Sequence, residues 1–178
     1  MTGLPPIGAE IPCSSLAVDT PLRLGTQAMS VDFRGGLKHR VDVNPDDPIN
    51  SVRMRLVGLR YSAEIPSDNG SGGGTLTLEQ NDVDVDPKGL LKLTQRFPPT
   101  YEYRIVMSPF VLTVDRPGDG EPQVLIPKGE VALVGRLTQF PPRGDLFQLE
   151  KPAELVHPDK PGDIVAVIEK FPAKVGGL

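Results

Sequence analysis

Thr100-Tyr101-Glu102-Tyr103-Arg104 follows Pro98-Pro99 and brings two phenols, a carboxylate and a guanidinium into five consecutive residues. Side chains two apart along a strand share a face. Tyr101 and Tyr103 therefore fall on one side and Glu102 and Arg104 on the other. Tyrosines looking into a closed interior can orient a largely apolar ligand through their hydroxyls, or they can simply pack with a polar end; packing is the plainer reading. His39 and His157 are the two histidines. Neither has a second His or a Cys at metal-ligand spacing, which argues against zinc. Either imidazole can act as a general base if the fold sets it beside a carboxylate. Tyr101, Tyr103, Arg104 and His39 are thus the first candidates for polar ligand-binding groups. Because one strand face alone can look inward, the tyrosines and Arg104 are not expected to line the same cavity unless a bulge intervenes.

Asp82-Val83-Asp84-Val85-Asp86 puts three carboxylates on one strand face. Asp46 and Asp47 add two more in a turn, the kind of oxygen set that Ca²⁺ takes. The Gly and terminal Glu of a calcium loop are missing, so the expectation is a solvated strand face and no metal. Arg53 and Arg55 share a face of one segment with Arg60 further along; they can fork onto a ligand carboxylate, but cross-strand pairing with the acids of a neighbouring strand, the 82–86 face being one choice, is favoured. Gly70 and Gly72–Gly74 lie among Ser and Asn without the Lys-Ser/Thr of a phosphate loop. No Gly-x-Ser-x-Gly elbow appears. No cofactor is expected, and no catalytic residue is assigned.

The elements that must position these residues are dictated by 20 Pro and 19 Gly spread over 178 residues. Pro removes a helical donor and Gly weakens helix interiors, so long helices have nowhere to fit. The longest run free of both, Thr75 to Asp86, alternates at each end as a strand does. Alternation or β-branched enrichment also marks Met29–Phe33, Leu37–Val43, Val52–Ile65, Leu90–Thr94, Tyr101–Met107, Val111–Val114, Val124–Ile126, Val131–Leu137, Leu146–Leu149 and Ile164–Phe171. Val52–Ile65 is long enough to bend, and Gly58 is its natural bulge. The expected fold is all-β: a single-domain antiparallel β-barrel or β-sandwich of about ten to twelve short strands. Residues 1–25, with Pro5, Pro6, Pro12 and Pro21, read as an extended Pro-rich arm before one β domain over 26–178. Ser67–Gly74 reads as a flexible hairpin tip. A short repeat, Pro-Lys-Gly leading to Leu-Thr-Gln and Phe-Pro-Pro, recurs at 87–99 and 127–142, and Phe171-Pro172 echoes its end. Its plain reading is a strand end where Phe plugs the core and Pro stops the ladder; its functional reading is two equivalent strand ends on one pocket rim.

Composition narrows function. With 38% hydrophobic and 24% charged residues the chain should bury a core. A net charge of -4 with both signs interspersed lacks the basic footprint of nucleic-acid binding. The single cysteine, Cys13, cannot form an internal bridge and suits a reducing cytoplasm. No apolar run approaches the roughly 18 to 20 residues that cross a bilayer, and the N-terminus lacks a secretory pattern. The expected partner is a small apolar ligand or another protein, with neither nucleic acid nor membrane, and a homo-oligomer is compatible. The expected function is a binding module for that partner. The alternative is a cofactor-independent β-barrel enzyme of cyclase or isomerase type that folds a flexible apolar substrate by enclosing it.

Overall fold

The computed structural model describes residues 3–66, 73–81, 86–118 and 120–177. Thirteen antiparallel strands form one sheet: β1 (Glu10–Leu24), β2 (Gln27–Val43), β3 (Ser51–Ile65), β4 (Gly74–Gln80), β5 (Gly89–Arg96), β6 (Pro99–Val106), β7 (Phe110–Asp115), β8 (Gln123–Pro127), β9 (Ala132–Leu137), β10 (Arg143–Leu149), β11 (Ala153–His157), β12 (Lys160–Ile168) and β13 (Ala173–Gly177). No helix occurs among the described residues, and so none is long and apolar enough to cross a membrane. The all-β expectation holds, with more strands than expected and three that are not short.

The sheet closes on itself twice. β12 pairs back onto β1, with Leu22 opposite Ile168, and completes a ring β1-β2-β3-β4-β7-β8-β11-β12. β5 pairs back onto β3, with Val52 opposite Leu91, and completes a second ring β1-β2-β3-β5-β6-β9-β10-β13. The two are called here the β4 ring and the β6 ring. They share β1, β2 and β3, of 15, 17 and 15 residues, which run from one ring into the other. Closure is the barrel's way of leaving no unpaired edge. Both interiors belong to one continuous apolar core.

Bulges let the shared strands serve both rings. On β1 the buried positions are Cys13, Ser15 and Ala17, then Thr20 and Leu22, and the register shifts between Ala17 and Thr20. Asp19 takes φ 54° there, its amide donates to Asp32 Oδ1 at 2.8 Å, and the Thr20 hydroxyl donates to the Ala17 carbonyl at 2.9 Å. On β3 the buried set changes from Val52, Met54 and Leu56 to Leu59, Tyr61, Ala63 and Ile65, and Lys38–Gly58 pairing gives way to His39–Leu56. The extra residue inverts which side chains face inward, and Gly58 sits at the bulge as its sequence position predicts.

Three expectations need correction. From Glu10 onward the presumed arm is the fully paired strand β1, bonded to β2 on one side and to β13 and β12 on the other. Its prolines obscured an alternation, Cys13-Ser14-Ser15-Leu16-Ala17, that the sheet uses. Met29–Phe33 and Leu37–Val43 are one strand, because Gly35 and Gly36 do not break β2. A Cβ at Gly35 would lie 1.8 Å from the Arg60 carbonyl oxygen and one at Gly36 would lie 2.6 Å from that of Cys13, so both glycines serve close strand approach. Phe97 does not plug the core but is 90% exposed, whereas Phe171 is buried and Phe140 packs on the core's edge. The Ser67–Gly74 tip falls largely outside the described residues, as do Asp82 and Asp84 of the acidic run.

Candidate functional site

Inside the β6 ring and at its junction with the β4 ring, polar side chains from four strands are buried in an otherwise apolar interior. β6 turns Tyr101 and Tyr103 inward, as alternation requires, and both are buried. The Tyr103 hydroxyl lies 2.9 Å from His39 Nδ1, a hydrogen bond closed to water, since each residue is only 1% exposed. Phe147 stacks edge-on against Tyr103 at 5.6 Å, and it has room because Gly135, directly opposite Tyr103 in the register, offers no Cβ beneath the ring. Phe140 packs on both tyrosines from the open end.

His39 Nε2 has no hydrogen-bond partner; on the adjoining strands Ser15 Oγ of β1 and Tyr61 Oη of β3 are close enough for the Ser15 hydroxyl to act on the Tyr61 phenol, and neither has a partner outside that pair. Ser15 pairs with Gly35, which pairs with Tyr61, so the missing side chain at Gly35 lies between them in one cross-strand row. Cys13, two residues before Ser15 on the same face, is a buried free thiol. Burial disfavours every charged form in this group. The His39 imidazole is pushed down to about 3 and is neutral, the Cys13 thiol is pushed up to about 11, and Tyr61 is pushed up to about 12, with the nearby Ser15 hydroxyl opposing that rise. Tyr103 is raised well above its usual range for the same reason. The cluster is a set of neutral hydrogen-bonding groups buried from solvent.

Arg104 stands on the outer face of β6, where it bonds Glu130 at 2.7 Å and Glu150 at 2.9 Å. The structure therefore unites His39, Tyr103 and Tyr101 along one wall and leaves Arg104 outside, in keeping with the one-face rule. Two arginines of β3 pair cross-strand as favoured from sequence, Arg55 with Asp42 of β2 at 3.0 Å and Arg60 with Glu79 of β4 at 2.8 Å, whereas Arg53 pairs with Asp46 of the β2–β3 turn at 3.5 Å. Cys13, Ser15 and Tyr61 were not picked out by sequence reasoning. The first two sat in the presumed arm, and Tyr61 changes face at the Gly58 bulge.

The two rings present mouths at opposite ends of the shared strands. At the mouth of the β6 ring lie the β5–β6 turn with Phe97 and the β9–β10 loop with Phe140, for Tyr101 pairs with Leu137 just before that loop. The two Phe-Pro-Pro copies thus meet on one rim. At the far end, the β4 ring opens into a pocket of about 330 Å³ lined by Leu24, Val114, Arg116, Leu125, His157 and Val165 among others. A further cavity, beside Phe110 and Phe171, has a volume of about 10 Å³.

No family model matches the sequence, and neither does any curated protein. In structure the chain is similar to DynF from the dynemicin biosynthesis pathway of Micromonospora chersina, with a TM-score of 0.66 over 97% of this chain and 82% of that one. At 16% identity the likeness is one of fold.

Proposed function

We propose that the chain binds a small, largely apolar molecule in the β6 ring, and that His39, Tyr103 and Ser15, with Tyr61 at the junction to the β4 ring, supply its polar contacts. The observation that carries this reading is the buried His39 Nε2, which has no hydrogen-bond partner and sits on the same imidazole that meets the Tyr103 phenol inside the ring, with the Ser15 and Tyr61 hydroxyls further along the shared strands. Such an atom costs about 1 to 3 kcal/mol when left unsatisfied. A ligand with matching donors or acceptors recovers that energy and gains orientation from it. The small size of the cavity beside Phe110 and Phe171, about 10 Å³, favours a binding module, in which the ligand replaces packed side chains, over an enzyme with a preformed chamber. A neutral imidazole held near 3 is also too weak a base to take a proton at neutral pH, so His39 fits hydrogen bonding better than acid–base work. The fold shared with a protein of a biosynthetic pathway is compatible with a ligand of that small-molecule class.

Native mass spectrometry of protein purified from its own host tests the reading. The expected result is a retained small molecule that leaves on denaturation. Tyr61→Phe, which removes the hydroxyl and keeps the ring, should reduce retention of the molecule. A chain that carries no adduct, together with a Tyr61→Phe chain indistinguishable from the parent in every respect but stability, would make these buried polar atoms structural only.

A further inference from the structure

The mouth of the β6 ring is crossed by the chain's own residues. Gly8 donates to the Val41 carbonyl at 2.8 Å and Val41 donates back to the Ala9 carbonyl at 2.9 Å, so this end of the crossing segment is tied to β2. From there Pro6, Pro5 and Leu4 carry the chain over the opening to Gly3, whose carbonyl accepts a hydrogen bond from the Tyr101 hydroxyl on β6. In the order of the β6 ring, β1 and β6 are opposite members, so the segment spans the ring's width. Leu4 packs against the core there, and a Cβ on Gly3 would lie 2.8 Å from Tyr101 Oη, so the strap fits closely over the phenol. Gly8 has φ +87° and open space around it, which makes it the natural pivot. Directly below are Phe140, Tyr103 and His39, in contact one after another.

We propose that Gly3–Ala9 is a built-in competitor, its Gly3 carbonyl and Leu4 side chain standing in the subsite that receives a carbonyl group on an apolar body. The proposal rests on the reading that the β6 ring binds a small, largely apolar molecule, and it adds the ligand's chemical class and its route. Tyr101 is then the first polar contact, donating to the ligand's carbonyl in place of Gly3. Phe97, 90% exposed on the same rim, gives the entering molecule an apolar landing surface. A closed strap lowers apparent affinity by the fraction of time it is open, so displacing it raises affinity without any new contact.

The test uses 6-propionyl-2-(dimethylamino)naphthalene, an apolar fluorescent ketone, and its analogue 2-(dimethylamino)naphthalene, which lacks the carbonyl. Binding is titrated to the parent, to Leu4→Asp and to a chain lacking residues 1–7, each first shown to unfold in one transition; the truncated chain serves if the point variant does not fold. The ketone should bind both strap-displaced chains at least about tenfold more tightly than the parent. Tyr101→Phe in the truncated chain should then weaken the ketone by about five- to tenfold and leave the analogue unchanged. Equal affinity for parent and truncated chain, or no binding to either, overturns the strap as competitor. A gain that survives Tyr101→Phe overturns the carbonyl subsite while leaving the apolar-ligand reading in place, and the retained mass decides that reading separately.

Discussion

His39 sets the pH dependence of the interior. Burial holds its imidazole at about 3, against 6.5 in the unfolded chain. Between those values the unfolded chain binds a proton that the folded chain refuses. The stability linked to His39 is therefore fully present above the unfolded value and is lost as pH falls through the window below it. The slope cannot exceed about 1.4 kcal/mol per pH unit for one proton. Urea midpoints measured from about pH 7 down to about pH 5 should fall in the parent and stay flatter in His39→Gln; equal slopes would place the proton elsewhere. Tyr103→Phe leaves both ring nitrogens without partners and should cost about 1 to 3 kcal/mol in the same measurement. Arg104→Gln gives the contrasting case. Its ion pairs are on the outer face and partly exposed, so removing them should change stability by about 1 kcal/mol or less and leave ligand retention unaltered. A large loss of retention in Arg104→Gln would contradict the placement of the site inside the ring.

The long strands succeed as elements because their glycines and bulges are placed where two rings must part. Gly35 and Gly58 are close in space but carry opposite expectations. A Cβ at Gly35 would stand 1.8 Å from the backbone oxygen of Arg60, which can move only by separating β2 from β3. At Gly58 the nearest atom is the Lys38 Cβ at 3.6 Å, an ordinary contact. Gly35→Ala should therefore cost about 1 to 3 kcal/mol, as overpacking does, while Gly58→Ala should be neutral or gain up to about 1 kcal/mol from a stiffer unfolded chain. Denaturant midpoints for the two variants, measured side by side, check this. Similar losses at both positions would mean that the bulge, rather than close approach, is what the glycines serve.

At the scale of the molecule, one core runs through both rings, and no boundary divides them. Leu76 lies inside the β4 ring and Leu91 inside the β6 ring, both fully buried. Leu76→Ala and Leu91→Ala should each cost about 2 to 5 kcal/mol and should lower the same single unfolding transition. Tyrosine fluorescence and far-ultraviolet circular dichroism followed together will reveal whether the transitions coincide. Two separated transitions would show that the rings fold as independent units in spite of their shared strands.

The all-β class, the face assignments of Tyr101, Tyr103 and Arg104, a bulge or kink at Gly58 and the cross-strand pairing of Arg55 and Arg60 were legible in the sequence, since each follows from local rules: strand alternation, the missing donor of Pro, the missing Cβ of Gly. The double closure was not. It depends on β12 returning to β1 and β5 returning to β3, pairings between residues far apart in the chain, and no local pattern records which distant edge a strand will meet. Nor could local patterning place Cys13 and Ser15, because their alternation reads the same on a loose arm as on a central strand. The site shows the same division. Period-two alternation alone determined that the tyrosines would share a face. That His39 would meet Tyr103, that Tyr61 and Ser15 would come together across Gly35, and that Gly3 would close the mouth over Tyr101 were decided by the tertiary structure, because hydrogen bonds act over about 3 Å and only the closed sheet brings these strands within that reach.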